Sequence, residues 1–197
     1  MRDTKEKILN ESLSLFSVKG YDGVSMTDIA SAVGIKAASI YKHYSGKEDI
    51  FNSIVLLFEE KTKNIFDPAL LTNAEYMTIS NETLIGIVQQ TFRIYAEDPY
   101  LSKCRKLFMI SAFHRSEIGD LYSKFFIEMP IQYQAQLFEI MQRSNILAKK
   151  NASIMAYHFY TPILILLQEY DYKKTTLKEA LKKINLLVTQ FTEVYHY

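Results

Sequence analysis

Between Thr27 and Lys47 the chain gathers side chains suited to contact with nucleic acid. Lys36, Lys42, His43 and Lys47 fall in a stretch of twelve residues, 36–47, that holds no acid. Cationic groups without acidic neighbours suit phosphate oxygens. Taken alone, without the surrounding motif, such a patch reads as a solvated helix face. Lys36 and Lys42 can donate to guanine or to phosphate. Ser39 can bond a base edge or a phosphate, while Ala37 and Ala38 can only meet thymine methyls. The hydroxyls of Ser25 and Thr27 are further phosphate candidates. Tyr41 and Tyr44 can instead pack a small core, and that reading is expected to hold for Tyr44 and in part for Tyr41.

These residues need two short helices and a tight turn to act together. Ile29, Ala30 and Val33 form an apolar stripe at helical spacing. Gly34 stops the helix, because glycine takes a left-handed cap at little steric cost. Ser25 with Asp28 three residues on has the pattern of a capping box that opens this helix. Helical character resumes over Lys36–Tyr44. That layout is a helix-turn-helix, whose second helix can enter the DNA major groove. A preceding helix over about Thr4–Lys19 supplies Ile8, Ser12, Leu15 and Phe16 as an inward face. Gly20 ends it, and Tyr21 can fold back as a plug. A fourth helix is expected over Lys47–Phe66, ended by Asp67-Pro68, with an irregular connection over 67–81.

The pieces ILNESLSLF, KGYDGVSMTDIASAVGI and SIYKHYSGKEDIF, within Ile8–Phe51, resemble the N-terminal domain of TetR-type transcriptional repressors. The resemblance implies an all-helical homodimer that binds a palindromic operator and releases it when a small molecule enters the C-terminal domain. It also implies phosphate contacts from Tyr41 and His43, and from Lys47 where helix four opens beside the DNA backbone. Family members often carry Ser at the position of Lys36 and Gly at that of Ala38. A lysine cannot cap by accepting a backbone N–H. The expected organisation is all-α: a three-helix DNA-binding domain over 1–47, then a helical effector-binding and dimerisation domain over 48–197.

Beyond residue 80 the pattern predicts further helices. Leu84, Val88, Thr91 and Tyr95 mark one, and Asp98-Pro99 opens the next. Ser116–Arg143 reads as one long helix kinked at Pro130. Asn151–Tyr170 is apolar nearly all round, so it must be buried on most sides. In the last helix, Thr175–Tyr195, apolar residues recur at three- and four-residue steps. The last two helices are the expected dimer surface, through Pro162, Leu166, Leu181, Ile184, Val188, Phe191 and Tyr195. The alternative is that Leu181–Tyr195 covers only the subunit's own core. Aromatic residues and methionines crowd the middle of the chain. Met109, Phe113, Tyr122, Phe126 and Tyr133, with His114 and His158 as orienting groups, are the candidate lining of a pocket for a small apolar or aromatic effector. Each is equally a core residue of a helical bundle.

Composition narrows the remaining classes. The chain has 197 residues, 48% hydrophobic and 23% charged, which suits a soluble globular protein of one or two domains. Six glycines and four prolines leave little material for sheet turns. Net charge is +1, so any basic character is local. The single Cys104 excludes an internal disulfide and is expected to be a buried apolar residue. The four histidines show no ligand spacing, so no metal and no cofactor is expected. The N-terminus lacks an apolar signal core and PILILLQEY is too short to span a bilayer, so a cytoplasmic protein without membrane contact is expected. No phosphate-cradling loop or nucleophile elbow supports an enzyme. The rival readings are a helical interaction protein with no operator of its own and, more remotely, an enzyme on a helical scaffold.

Overall fold

The computed structural model describes residues 2–67, 69, 71 and 79–196. Among them every regular element is helical. The chain divides into two compact units, Met1–Thr62 with Pro99–Ser123, and Lys63–Asp98 with Lys124–Tyr197. The boundary at 47/48 drawn from the sequence falls inside the first unit.

That unit holds α1 (Arg2–Lys19), α2 (Met26–Val33), α3 (Ala37–Ile40), α4 (Lys47–Thr62), α6 (Pro99–Ser111) and α7 (Ser116–Ser123). Ile8, Leu13 and Phe16 of α1 are buried, and so are Ile29 and Val33 of α2. Ile50, Ile54 and Phe58 bring α4 into the same core, and Cys104, Leu107 and Phe108 bring in α6. This is why the first unit runs past the three-helix motif: α1 and α4 each present apolar side chains that need a further helix to cover them. Rings link the layers, with Tyr21 5.5 Å from Phe16 and 5.2 Å from Phe51, and Phe108 5.4 Å from Phe58. Gly20 takes φ +71°, and a Cβ there would lie 3.2 Å from Ile110 of α6. A side chain at that turn would therefore be strained and crowded.

α4 stops at Thr62, four residues short of the expected Phe66, and the Thr62 hydroxyl donates to the Phe58 carbonyl at 2.8 Å. Such back-bonding often bends or ends a helix. The irregular connection expected over 67–81 falls largely on 68, 70 and 72–78, outside the described residues.

The second unit holds α5 (Asn81–Glu97), α8 (Met129–Arg143), α9 (Ala152–Asp171) and α10 (Leu177–Tyr195). Side chains cap three of these helices: Ser80 accepts from Thr83 N–H, Asn151 from Ile154 N–H and Thr176 from Glu179 N–H. The core is aromatic at one end, where Phe191 lies 5.0 Å from Phe138 and 4.8 Å from Phe159.

The long helical stretch expected over Ser116–Arg143 is present without a gap, with one irregular turn inside it. A π-helical turn, Lys124–Glu128, separates α7 from α8, and Pro130 lies in the first turn of α8. Proline lacks the N–H that would bond the carbonyl four residues back, here that of Phe126. The Tyr160 hydroxyl donates to that carbonyl at 2.9 Å. The irregular turn therefore falls before the proline rather than at it.

Candidate nucleic-acid interface and effector cavity

Local chemistry builds the helix-turn-helix. The Ser25 hydroxyl accepts from Asp28 N–H at 3.1 Å, and the Asp28 carboxylate accepts from Ser25 N–H at 2.8 Å. The Ser25 hydroxyl also donates to that carboxylate at 2.6 Å. These bonds, the hydroxyl's first and the backbone's second, hold the Asp28 carboxyl below its usual range. At the other end Gly34 takes φ +80°, and Ile35 N–H reaches back to the Ala30 carbonyl at 3.0 Å. This six-residue closure is the Schellman arrangement. The Lys7 ammonium adds a donor to the Val33 carbonyl at 3.0 Å.

The second helix is shorter than expected. α3 covers Ala37–Ile40, and residues 41–43 form a turn closed by His43 N–H to the Ile40 carbonyl at 2.8 Å. Lys36 stands at the N-cap without a side-chain cap bond. Ser, Tyr and His are poor helix formers, so little extends the helix beyond Ile40. Ile40 and Tyr44 are the anchors, at 0% and 4% exposure, and the Tyr44 hydroxyl donates to the Lys5 carbonyl at 3.3 Å. Burial pushes the Tyr44 phenol up. Facing solvent are Thr27, Lys36, Ala38 and Lys42, with Tyr41 57% exposed; Ala37, Ser39 and His43 are half-buried.

Lys47 is differently placed. Its ammonium donates to the carbonyls of Tyr21 and Val24 at 3.0 and 2.9 Å and sits 4.3 Å from the Tyr21 ring centre. Burial pushes its pKa down. It pins the loop between α1 and α2. The same loop is held by Arg115, whose guanidinium bonds Asp22 at 2.9 Å, and by Ser111, whose hydroxyl accepts from Tyr21 N–H at 2.9 Å.

Residues 8–54 match the family described as "Bacterial regulatory proteins, tetR family". The biofilm operon icaADBC HTH-type negative transcriptional regulator IcaR of Staphylococcus epidermidis is 39% identical over 89 residues, which span 45% of this chain and 44% of that protein. The chain thus aligns with less than half the length of that relative. Across the whole chain the fold matches a TetR-family regulator structure from Mesorhizobium loti, at a TM-score of 0.72 and 21% identity, covering 100% of this chain and 98% of that one. A second, from Syntrophomonas wolfei, covers 97% and 95% at a TM-score of 0.69 and 20% identity.

Residues 8–54 thus carry the N-terminal domain of the tetR family of bacterial regulatory proteins. Members of the family are transcriptional regulators rather than enzymes.

The second unit holds a cavity of about 70 Å³ that is partly open to solvent. Phe66, Phe92, Tyr95, Phe126, Tyr133 and Tyr160 supply its aromatic walls. Of the seven residues expected at a pocket, Phe126 and Tyr133 line this cavity. Met109, Phe113, His114 and Tyr122 belong to the first unit, where Phe113 stands 95% exposed. His158 is exposed, and its Nδ1 lies 2.5 Å from the Tyr195 hydroxyl. Helical periodicity marks an inward face without saying which of two cores it meets. Gln134, on the wall, was not singled out from the sequence. The available signal was a polar residue within the inward pattern Tyr133, Leu137, Phe138.

The seven residues expected at a dimer surface divide in a similar way. Leu166, Leu181, Ile184, Val188 and Phe191 are buried in the subunit's own core, while Pro162 and Tyr195 are half-buried. The apolar groups these helices expose are others: Ile154, Tyr157 and Ile165 on α9, Leu186 and Val194 on α10. Apolar residues cover most of α9, and periodicity alone does not divide such a surface between core and partner.

Among the described residues no helix is long and apolar enough to cross a membrane, and no cluster of His, Cys, Asp and Glu could hold a metal ion.

Proposed function

We propose that this chain is a transcriptional repressor of the TetR family that binds a palindromic operator as a homodimer and lets go when a small molecule fills the cavity of the second unit. The observation that carries the reading is the α2–Gly34–α3 geometry. Ile40 and Tyr44 anchor it from inside, and Lys36, Ala38, Tyr41 and Lys42 are left to the solvent. Thr27, Lys36, Ala37, Ala38, Ser39, Tyr41, Lys42 and His43 are the proposed DNA-contacting set. Ser25 contributes by capping α2, and Lys47 by holding the loop before it. The relative's role as a negative regulator supports repression.

One such motif offers little surface, so two copies reading half-sites about 34–36 Å apart give the specificity a single copy lacks. The proposed dimer contact lies on the same two helices as the expected one, through exposed Ile154, Tyr157 and Ile165 of α9 with Leu186 and Val194 of α10. A steric logic for release follows from chain connectivity. Ile65 and Phe66 line the cavity and follow the end of α4 at Thr62 by a few residues. A ligand that moves this wall pulls on α4, which begins at Lys47 beside the DNA-reading motif. Release then requires that the ligand favour the state unable to hold both half-sites.

The test is selection of bound sequences from a random duplex library at near-physiological salt. An enriched palindrome is the expected result. Enrichment of nothing by a purified, ligand-free dimer would overturn the reading and favour a protein-interaction role.

A further inference from the structure

The cavity of the second unit also constrains what can fill it. This inference rests on the ligand-response reading and names the chemistry of the ligand.

None of the fifteen described residues that line the cavity is charged. A carboxylate or an ammonium entering it would lose its hydration and meet no counter-charge, which is prohibitive in a small apolar site. The walls are instead rings. Phe66 stacks on Tyr95 with centres 6.3 Å apart, and meets Tyr133 edge-on at 5.7 Å. Tyr95 meets Phe126 edge-on at 5.8 Å. Ring faces and edges in that arrangement suit a flat aromatic guest.

The lining also carries polar groups, Thr91, Gln134 and the tyrosine hydroxyls, and one of them stands apart. Gln134 is 8% exposed and is one of the residues lining the cavity, and among the described residues no group bonds its buried side-chain oxygen, Oε1. A buried acceptor left without a donor is costly, so a guest that supplies the donor recovers that cost on binding. The Tyr160 hydroxyl on the same wall is already directed at the Phe126 carbonyl.

Size adds a third condition. The cavity of about 70 Å³ is room for roughly two waters, and about half the volume known to hold a benzene ring in a protein core. A single-ring guest fits wholly inside only if a wall moves outward. Ile65 and Phe66 are the wall groups outside the regular helices, in the segment after α4, and both are only half-buried; Phe66 is the one of the two that supplies a ring.

We infer that the effector is an uncharged aromatic molecule carrying a hydrogen-bond donor, and that Gln134 Oε1 is the group that accepts from it. Its ring takes the space that Phe66 vacates against Tyr95 and Tyr133.

The test uses the full chain and four single-ring probes: phenol, which has a donor; anisole, which has only an acceptor; toluene, which has neither; and benzoate, which is charged. Affinities are measured by calorimetry on the wild type and on Gln134→Leu, with Gln134→Met as the alternative if leucine disturbs folding. The phenol-to-toluene affinity ratio in the wild type is compared with the ratio in the variant, which cancels the hydration of the probes themselves. The expected result is a ratio about tenfold or more higher in the wild type, with benzoate weakest of the four. An unchanged ratio would overturn the inference. So would anisole losing as much affinity in the variant as phenol does, benzoate binding best of the four, or no binding by any probe. Should neither variant fold, phenol binding no better than anisole to the wild type would also overturn it. Operator release is read separately. Phenol that binds through Gln134 yet leaves the operator complex intact would remove the ligand-response reading and leave the assignment of Gln134 standing.

Discussion

Replacing Lys47 by methionine separates two roles for one ammonium. The family resemblance implies a phosphate contact, whereas the geometry shows donation to the Tyr21 and Val24 carbonyls at 3.0 and 2.9 Å. Methionine keeps most of the aliphatic stem and removes the charge. Two charge-assisted bonds at a half-buried site are worth about 1 kcal/mol each net, and the ring contact with Tyr21 adds roughly 0.5 kcal/mol. The desolvation that depresses the Lys47 pKa works against this gain, so the lower end, about 2 kcal/mol, is the expectation. For a chain of this size that corresponds to a fall in melting temperature of about 4–8 °C. Thermal unfolding by circular dichroism measures it, alongside operator affinity as a function of salt. A melting temperature within about 1 °C of wild type would refute the loop-pinning argument. If the salt slope then fell by about 0.9, Lys47 would be a direct phosphate contact.

Three further perturbations test other parts of the structure. Ser25→Ala removes the cap of α2 and should cost about 1 kcal/mol near neutral pH. The Asp28 carboxyl it bonds has a depressed pKa in the fold, so its contribution is present above the unfolded carboxylate pKa and is lost as pH falls through the folded one. The stability gap between wild type and Ser25→Ala should therefore narrow in acid; a gap that stays constant down to the acid transition would contradict the linkage. Lys42→Ala should leave the melting temperature unchanged and lower the salt slope of operator binding by about 0.9, and Tyr41→Ala should weaken binding across all sequences; wild-type operator binding by both would remove them from the interface. Ile165→Glu with Leu186→Glu should yield a folded monomer by sedimentation and helical content, because both side chains are exposed in the single chain; a persistent dimer would place the contact elsewhere.

Punctuation was the part of this fold most legible in the sequence. The cap at Gly34, the box between Ser25 and Asp28 and the start of α6 at Pro99 each depend on a few neighbouring residues. Their conformational preferences act within one turn of chain, so they could be named without knowing what packs nearby. The inward positions Ile29, Ala30 and Val33 followed for the same reason, because a short amphipathic element has only one apolar side.

What tertiary structure decided was the destination of apolar faces and the employment of polar groups. Phe113 and Phe126 carry the same sequence signal, yet one is 95% exposed in the first unit and the other 1% exposed beside the cavity of the second. The apolar periodicity of the last helix could serve a core or a partner; Ile184 and Val188 went to the core, while Leu186 and Val194 stayed outside. Lys47 could reach a phosphate by its position in the motif, but two carbonyls of a loop more than twenty residues away bind it. Gln134 became distinctive only when it came to line a cavity with its buried oxygen meeting no donor among the described residues. These outcomes depend on groups distant in the chain, and burial and hydrogen bonding are settled by what arrives opposite a side chain rather than by what precedes it.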